Sequence, residues 1–572
     1  MSDCFFCRRL GECLAMGQQV KTKAPLDSIN ASLLLIISAF LWQFFRNLLS
    51  KSPLTSIPGP QSHSWVKGNL DQLFDRFGWD FQDELAEKYG SVVKVENKFG
   101  QKALYVFDPR ALHHILIKDY QAVYDRPLWS LSSNALTFGP GLLATHGELH
   151  RKQRKMLNPV FSIKHMRHMT PIFYHVAHKL ENGIRAQLQQ SGDKDVDMLK
   201  WMHRTALELI GQGGLGHSFD PLTDKDHHDE YAAAMKKLMP TLFPLTFWRM
   251  FLPLLDYLGP ASFRQWLAGK APSKGIRELK HIVDTMDEST KNILRKKRQA
   301  LSAGDEAVVE QVAQGKDIMS ILLRANMEAS DEDRLSEEEL LGQMSTLVFA
   351  ASDTTSSALS RVLHLLGRHP DVQEKLRAEI REARSKASGD VPHDELMALP
   401  YLDSVCRETL RVYSPVSFTN RYAYKDTVLP LSKPIRDING NLLQEIHVPK
   451  GTEIFPGIRA INTDKSIWGD DAKIWKPERW LSPLPSTVTE AHIPGVYSHL
   501  MTFNGGGRSC IGFKFSQLEM KVVLATLLST FKFSLSDRDN DIHWNLAGVS
   551  YPSVGEDPNP RFPMKVCLIE SA

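Results

Sequence analysis

Apolar positions fall into distinct regimes along the chain. Residues 31–42 carry no charge, Gln43 interrupts the run, Phe44 and Phe45 extend it, and Arg46 closes it. A bilayer-spanning helix needs about 20 apolar residues. Residues 31–49 are therefore predicted to form a single N-terminal membrane anchor helix, which spans the membrane or lies in its interface. The run starts late and no small-residue cleavage site follows before Lys51, which favours a retained anchor over a removed signal peptide. Residues 1–30 form a tail ahead of it. Ile57-Pro58-Gly59-Pro60 cannot continue a helix, so residues 50–60 read as a stiff hinge. In the body, residues 61–572, two short strands are predicted at 91–95 and 103–107, and helical periodicity then dominates. Ser336 and Glu339 have the spacing of a capping box. They start a helix through Leu340, Leu341, Met344, Leu347 and Val348 to about Arg368. A second periodic run, Leu518, Met520, Val522, Val523 and Leu527, follows Gly512. The charged stretch 303–334 reads as exposed helix and loop. No internal repeat is visible. The fold class is mainly α with small β-sheets.

Composition narrows the function. A 572-residue chain that is 42% hydrophobic can bury a large core. The 69 Lys and Arg against 66 Asp and Glu leave a net charge of +3, with no concentrated basic patch to suggest nucleic acid. Six cysteines in so long a chain make no disulfide framework. Cys4 and Cys7 have redox or metal spacing, but no second pair or histidine cluster accompanies them.

The strongest chemical signal is Phe503-Asn504-Gly505-Gly506-Gly507-Arg508-Ser509-Cys510-Ile511-Gly512. Three glycines permit backbone conformations closed to other residues. Cys510 lies just before a predicted helix N-terminus, where dipole and free N–H groups favour a thiolate. A glycine loop around a structural cysteine satisfies the same observations. The fixed positions Phe503, Gly506, Arg508, Cys510 and Gly512 resemble, at every one, the heme-binding signature of the cytochrome P450 family. The resemblance implies heme b, its iron bound axially by the Cys510 thiolate, held between a long distal helix and the helix that follows the cysteine loop.

Other segments resemble the same family in the expected order. Ala350-Ala351-Ser352-Asp353-Thr354-Thr355-Ser356 is poor helix-interior sequence, because Ser, Thr and Asp compete for the backbone. It looks like the family's oxygen-binding stretch, with Ala351 where glycine is usual, which implies a shallower bend. Asp353 and Thr354 are the implied catalytic acid–alcohol pair, a carboxyl that relays protons and a hydroxyl that holds oxygen and water. Glu408 and Arg411 at i, i+3, with Arg479, resemble a structural triad behind the heme. As an exposed helical pair the first two would contribute only about 0.3–0.5 kcal/mol. In the run 147–155, Arg154 keeps the place of a propionate-binding arginine and His150 stands where tryptophan is usual; an imidazole N–H can still donate to a carboxylate. Arg508 completes the implied propionate contacts, and Phe503 belongs to the same cofactor-binding loop.

The resemblance implies a monooxygenase that takes O2 and an apolar small molecule, a terpenoid or other secondary metabolite. Electrons come from a separate NADPH-dependent flavoprotein reductase. The implied setting is the endoplasmic reticulum membrane, with the catalytic domain cytosolic. A heme-thiolate isomerase or dehydratase, or a heme-binding sensor, is the alternative. The distal pocket is expected from the 124–138 loop, Ala350, residues 416–418 and residues 546–549. The Phe-, Leu-, Pro- and Trp-rich stretch 242–258 faces either the membrane at the substrate entrance or the core.

Overall fold

The computed structural model describes residues 38, 52–191, 195–223, 229–255, 259, 261–303 and 316–569. Of the anchor expected at 31–49 only Ser38 falls within them. Among the described residues no helix is long and apolar enough to cross a membrane.

Eight helices position the site: α1 (Leu128–Phe138), α2 (Gly147–Leu157), α3 (Ile163–Ser191), α4 (Met198–Leu209), α5 (Glu230–Leu242), α6 (Glu337–Arg368), α7 (Pro400–Val412) and α8 (Phe513–Thr530). The expected capping box is present. Glu339 N–H donates to Ser336 Oγ at 3.2 Å, and Ser336 N–H donates to the Glu339 carboxylate at 2.8 Å. This closes orphan donors at the first turn of α6. α6 lies along α4 and touches α8, while α8 lies along α3, giving a four-helix core. The apolar run predicted after Gly512 is buried from Leu518 through Leu528. That is burial on all sides, as a central helix requires.

The main sheet stands beside this core. Its strands are β1 (Val92–Glu96), β2 (Lys102–Val106), β3 (Tyr124–Asp125), β4 (Arg421–Ala423) and β5 (Glu453–Pro456), ordered β1-β2-β5-β4-β3. β1 and β2 pair antiparallel within a residue of the predicted bounds. Residues 52–60, read from sequence as part of a hinge, lie against this sheet. Leu54 and Ile57 are buried, and Lys94 N–H donates to Pro58 O at 2.9 Å. A Cβ at Gly59 would sit 1.9 Å from Lys94 O, so only glycine allows the approach.

Two expectations change. The helix Ile318–Glu328 within the charged stretch buries Ile318, Met319, Leu322 and Leu323. Its charges lie on the remaining positions, and net composition hid the apolar face. Residues 304–315 lie outside the described residues. The segment 124–138 is a short strand and a helix, not a loop, and α1 ends at Gly139, whose φ is +82°.

Candidate active site

Cys510 sits between the strand Leu500–Gly505 and α8. Its N–H donates to Phe503 O at 2.8 Å, closing the loop on itself. Gly506 has φ +66°, and a Cβ there would lie 1.8 Å from Leu116 O. The loop is thus seated against the chain that leads to Tyr120. Phe503 supports it from below, with ring centroids 5.3 Å from Tyr497 and 6.1 Å from Phe513. Cys510 is exposed by surface area although protein atoms enclose its thiol. Burial pushes its thiol pKa up, against the opposing pull of the Gly512 N–H and Arg154. Burial thus works against the thiolate, while the Gly512 N–H and Arg154 favour it. A metal ion bound at the thiol would add to that side, since it deprotonates a coordinating thiol outright.

Beside the loop is a cluster of cations. Arg154 fastens the loop through Gly507 O (3.1 Å), Ser509 O (2.6 Å) and Ser509 Oγ (3.0 Å). Arg508 pairs with Asp125 at 2.9 Å. Arg126 and Arg421 join them, and Arg421 is 1% exposed with no partner on Nε or Nη2. Burial first, and then the neighbouring cations, pull the Arg421 pKa down to about 9. Burial and the charges of Arg508, Arg154, Arg126 and Arg421 hold the buried His150 at a pKa of about 3. It is a neutral imidazole, with Nδ1 3.3 Å from the Tyr120 hydroxyl. Four guanidinium groups thus act on one spot where Asp125 is the neighbouring carboxylate. An unpaired buried guanidinium is costly, and a group bearing two carboxylates would satisfy it. The residues present fit heme.

The stretch expected from sequence to bind oxygen lies in the middle of α6. Residues 342–348 and 355–360 are buried, but 349, 350, 351, 353 and 354 are half-buried. The helix runs unbroken from Glu337 to Arg368, with Ala351 inside it. Its hydroxyls bond back to the helix: Thr354 Oγ1 donates to Ala350 O at 2.7 Å and Ser352 Oγ to Val348 O at 2.9 Å. This is how a helix keeps a Ser/Thr run. Phe349 stacks on Phe138 of α1 at 4.6 Å.

A family model described as Cytochrome P450 matches residues 58–554. The chain belongs to the cytochrome P450 family. It is 55% identical to cytochrome P450 monooxygenase 91 of Postia placenta, over 94% of this chain and 98% of that one. It is 45% identical to a ganoderic acid synthetase of Ganoderma lucidum, over 94% and 99%. It is 37% identical to a cytochrome P450 monooxygenase of Hericium erinaceus, over 97% and 100%. Members of the family carry heme b bound through a cysteine thiolate, and this chain is a monooxygenase of that class.

In this P450 the Glu408–Arg411 pair is wholly buried, unlike the exposed pair its spacing alone suggests. Two 2.8 Å contacts join them. Arg479 Nε reaches Glu408 at 3.3 Å, and Trp480 Nε1 donates to it at 2.9 Å. Sequence reasoning missed Arg126, Arg421 and Tyr120, which come from strand and loop segments without a local pattern. It also missed His203 on α4, whose Nδ1 lies 3.5 Å from Asp353 Oδ1. Burial pushes the Asp353 carboxyl up to about 7. Glu519, nine positions beyond Cys510, was visible only as one acidic residue in an apolar helix. Both its oxygens are buried, with the Thr355 hydroxyl as the neighbouring polar group, and burial raises its pKa well above the ordinary range.

Proposed function

We propose that Cys510 is the axial ligand of heme b, and that this P450 inserts one oxygen atom into an apolar small molecule with electrons from a separate NADPH-dependent flavoprotein reductase. The observation that carries the reading is the cysteine loop with its arginines. Cys510 is surface-accessible, Arg154 fastens its loop through Ser509 O, and Arg421, beside Arg126 and Arg508, is buried with two nitrogens unpartnered. Arg154, Arg508 and His150, joined by Arg421, supply donors for the propionates, and Phe503 supports the ligand loop. Bound there, the heme supplies the activation of dioxygen. Asp353 holds a proton near neutral pH, and Thr354 presents a hydroxyl on the adjoining position of α6.

The substrate class we favour is a terpenoid or similar secondary metabolite. The aromatic pair Phe138 and Phe349 and the cluster of Phe418 with Phe74 and Phe455 support an apolar pocket. A relative named for ganoderic acid synthesis supports secondary metabolism. The exposed Trp248, Leu254, Phe263 and Trp266 support a membrane-facing surface. That surface is tied to the pocket wall through Arg249, whose Nε donates to Ser133 Oγ of α1 at 2.7 Å. With residues 31–49 as anchor, the protein resides at the endoplasmic reticulum with its catalytic domain in the cytosol.

The test is reconstitution with reductase, NADPH and 18O-labelled dioxygen on candidate terpenoids. A product that carries one labelled oxygen, absent without NADPH, is expected. Conversion that proceeds without NADPH or dioxygen contradicts the reading and supports an isomerase. A second expectation concerns the cradle. Arg421→Met removes an unpaired buried cation, so the heme-free protein becomes more stable in urea. The same variant loses heme to a competing apo-globin about tenfold faster, since one charge-assisted contact is gone.

A further inference from the structure

A pocket of about 300 Å3 lies between α4, α5, α6 and residues 549–551. Asp353 forms part of its wall, and Thr354 does not. His203 of α4 is also in the wall, with Nδ1 3.5 Å from Asp353 Oδ1 and the two side chains 18% and 17% exposed. His203 Nε2 is buried with no partner. The ring's other nitrogen faces Asp353 Oδ1 at 3.5 Å, an ion-pair distance and not a formed hydrogen bond.

The charges around the pair are largely committed elsewhere. Arg204 is held by Asp220 through two 2.7 Å contacts. Asp197 at the start of α4, Lys200 from α4, Lys236 from α5, Asp229 at the start of α5 and Tyr551 from the C-terminal segment complete the ionisable lining. Burial, followed by Lys236, holds the His203 pKa down to about 4, so the ring is neutral at physiological pH. A neutral imidazole with its proton on Nδ1 can donate to one carboxyl oxygen and leave the other free once the two close up. At 3.5 Å the contact is long, and such contacts tighten in the working complex.

We infer that His203 is a positioning residue for Asp353, holding Oδ1 and leaving Oδ2 open to the α4–α5 pocket, so that the protons consumed in turnover enter from that side. This rests on the reading of Asp353 as a proton donor. The transfer balances. Asp353 gains one proton from water in the pocket and gives one up toward the Thr354 hydroxyl, so it ends as it began. The protons meet the electrons that NADPH supplies through the reductase.

The test uses the heme-loaded full chain with reductase and NADPH, and needs no substrate. It compares His203→Ala, His203→Asn and Asp353→Asn. One readout is the infrared carbonyl band of the protonated Asp353 carboxyl against pH, identified by its absence in Asp353→Asn. The other is hydrogen peroxide released per NADPH across the pH range. His203→Ala should move the carboxyl midpoint up by about one pH unit, the size of one lost hydrogen bond to a charged group. Peroxide yield should rise about threefold with a shifted pH profile. His203→Asn keeps a donor near the Nδ1 position and should restore both readouts to within about twofold. If His203→Ala fails to fold, His203→Gln, which carries its amide beyond the Nδ1 position, replaces it with the same expected shift. An unchanged midpoint and profile in the donor-displacing variant, with peroxide raised in Asp353→Asn, overturns the role of His203. No change in Asp353→Asn overturns the reading of Asp353 itself, and this inference with it.

Discussion

Arg411→Leu is expected to lower stability by about 3–5 kcal/mol, the cost of leaving one member of a buried ion pair behind. Glu408 would remain buried, with Arg479, Trp480 and the Lys476 N–H as donors. The carbonyls of Asn462 and Ala472 would also lose the Arg411 Nη1 donor, now at 2.9 and 2.5 Å. These carbonyls belong to the segment that leads back toward the cysteine loop: Asn462 Oδ1 accepts from Met501 N–H at 2.8 Å. The substitution therefore loosens the support of the loop as well as α7. Urea unfolding of the heme-loaded protein measures it. A loss below about 1 kcal/mol would show that the pair has the worth of an exposed one.

Asp353→Asn is the second large effect. An amide cannot cycle a proton, and losing a positioned acid–base group costs about 10²–10⁴-fold in the step it serves. Product per NADPH should fall by about a hundredfold while heme content stays unchanged. The parent's product yield should fall as pH rises through the Asp353 pKa of about 7, and the variant should show no such dependence. Stability moves the other way. The folded carboxyl titrates above its unfolded value, because burial disfavours the charge. The unfolded state therefore gains from ionisation as pH rises from about 4 to 7, and folding weakens across that window. Asp353→Asn removes the penalty. It should be more stable than the parent at pH 8, with the difference closing near pH 4; an equal or lower stability at pH 8 would show that the carboxyl is not destabilised by burial.

The parts of the site legible in the sequence are those carried by local spacing. The Ser336–Glu339 capping box gave the start of α6, and the glycine-rich run placed Cys510 ahead of α8. Four features were not legible, or only in part. Arg154 and Arg508 of the cradle were marked by their motifs, but Arg126 and Arg421 join them from separate elements with no shared periodicity. The direction of the Cys510 shift depends on burial, and burial outweighs the helix terminus that sequence does show. The Glu408–Arg411 spacing is the same for an exposed pair and a buried one, and only tertiary packing separates them. His203 likewise meets Asp353 through the packing of α4 on α6, which no motif encodes.

The most direct measurement is the absorption spectrum of the reduced protein under carbon monoxide, in the parent and in Cys510→Ser. The parent should show the red-shifted band of thiolate-ligated heme, and the serine variant should lose it while its fold persists. A red-shifted band that survives in Cys510→Ser would mean that another residue holds the iron, and would contradict the assignment on which this account rests.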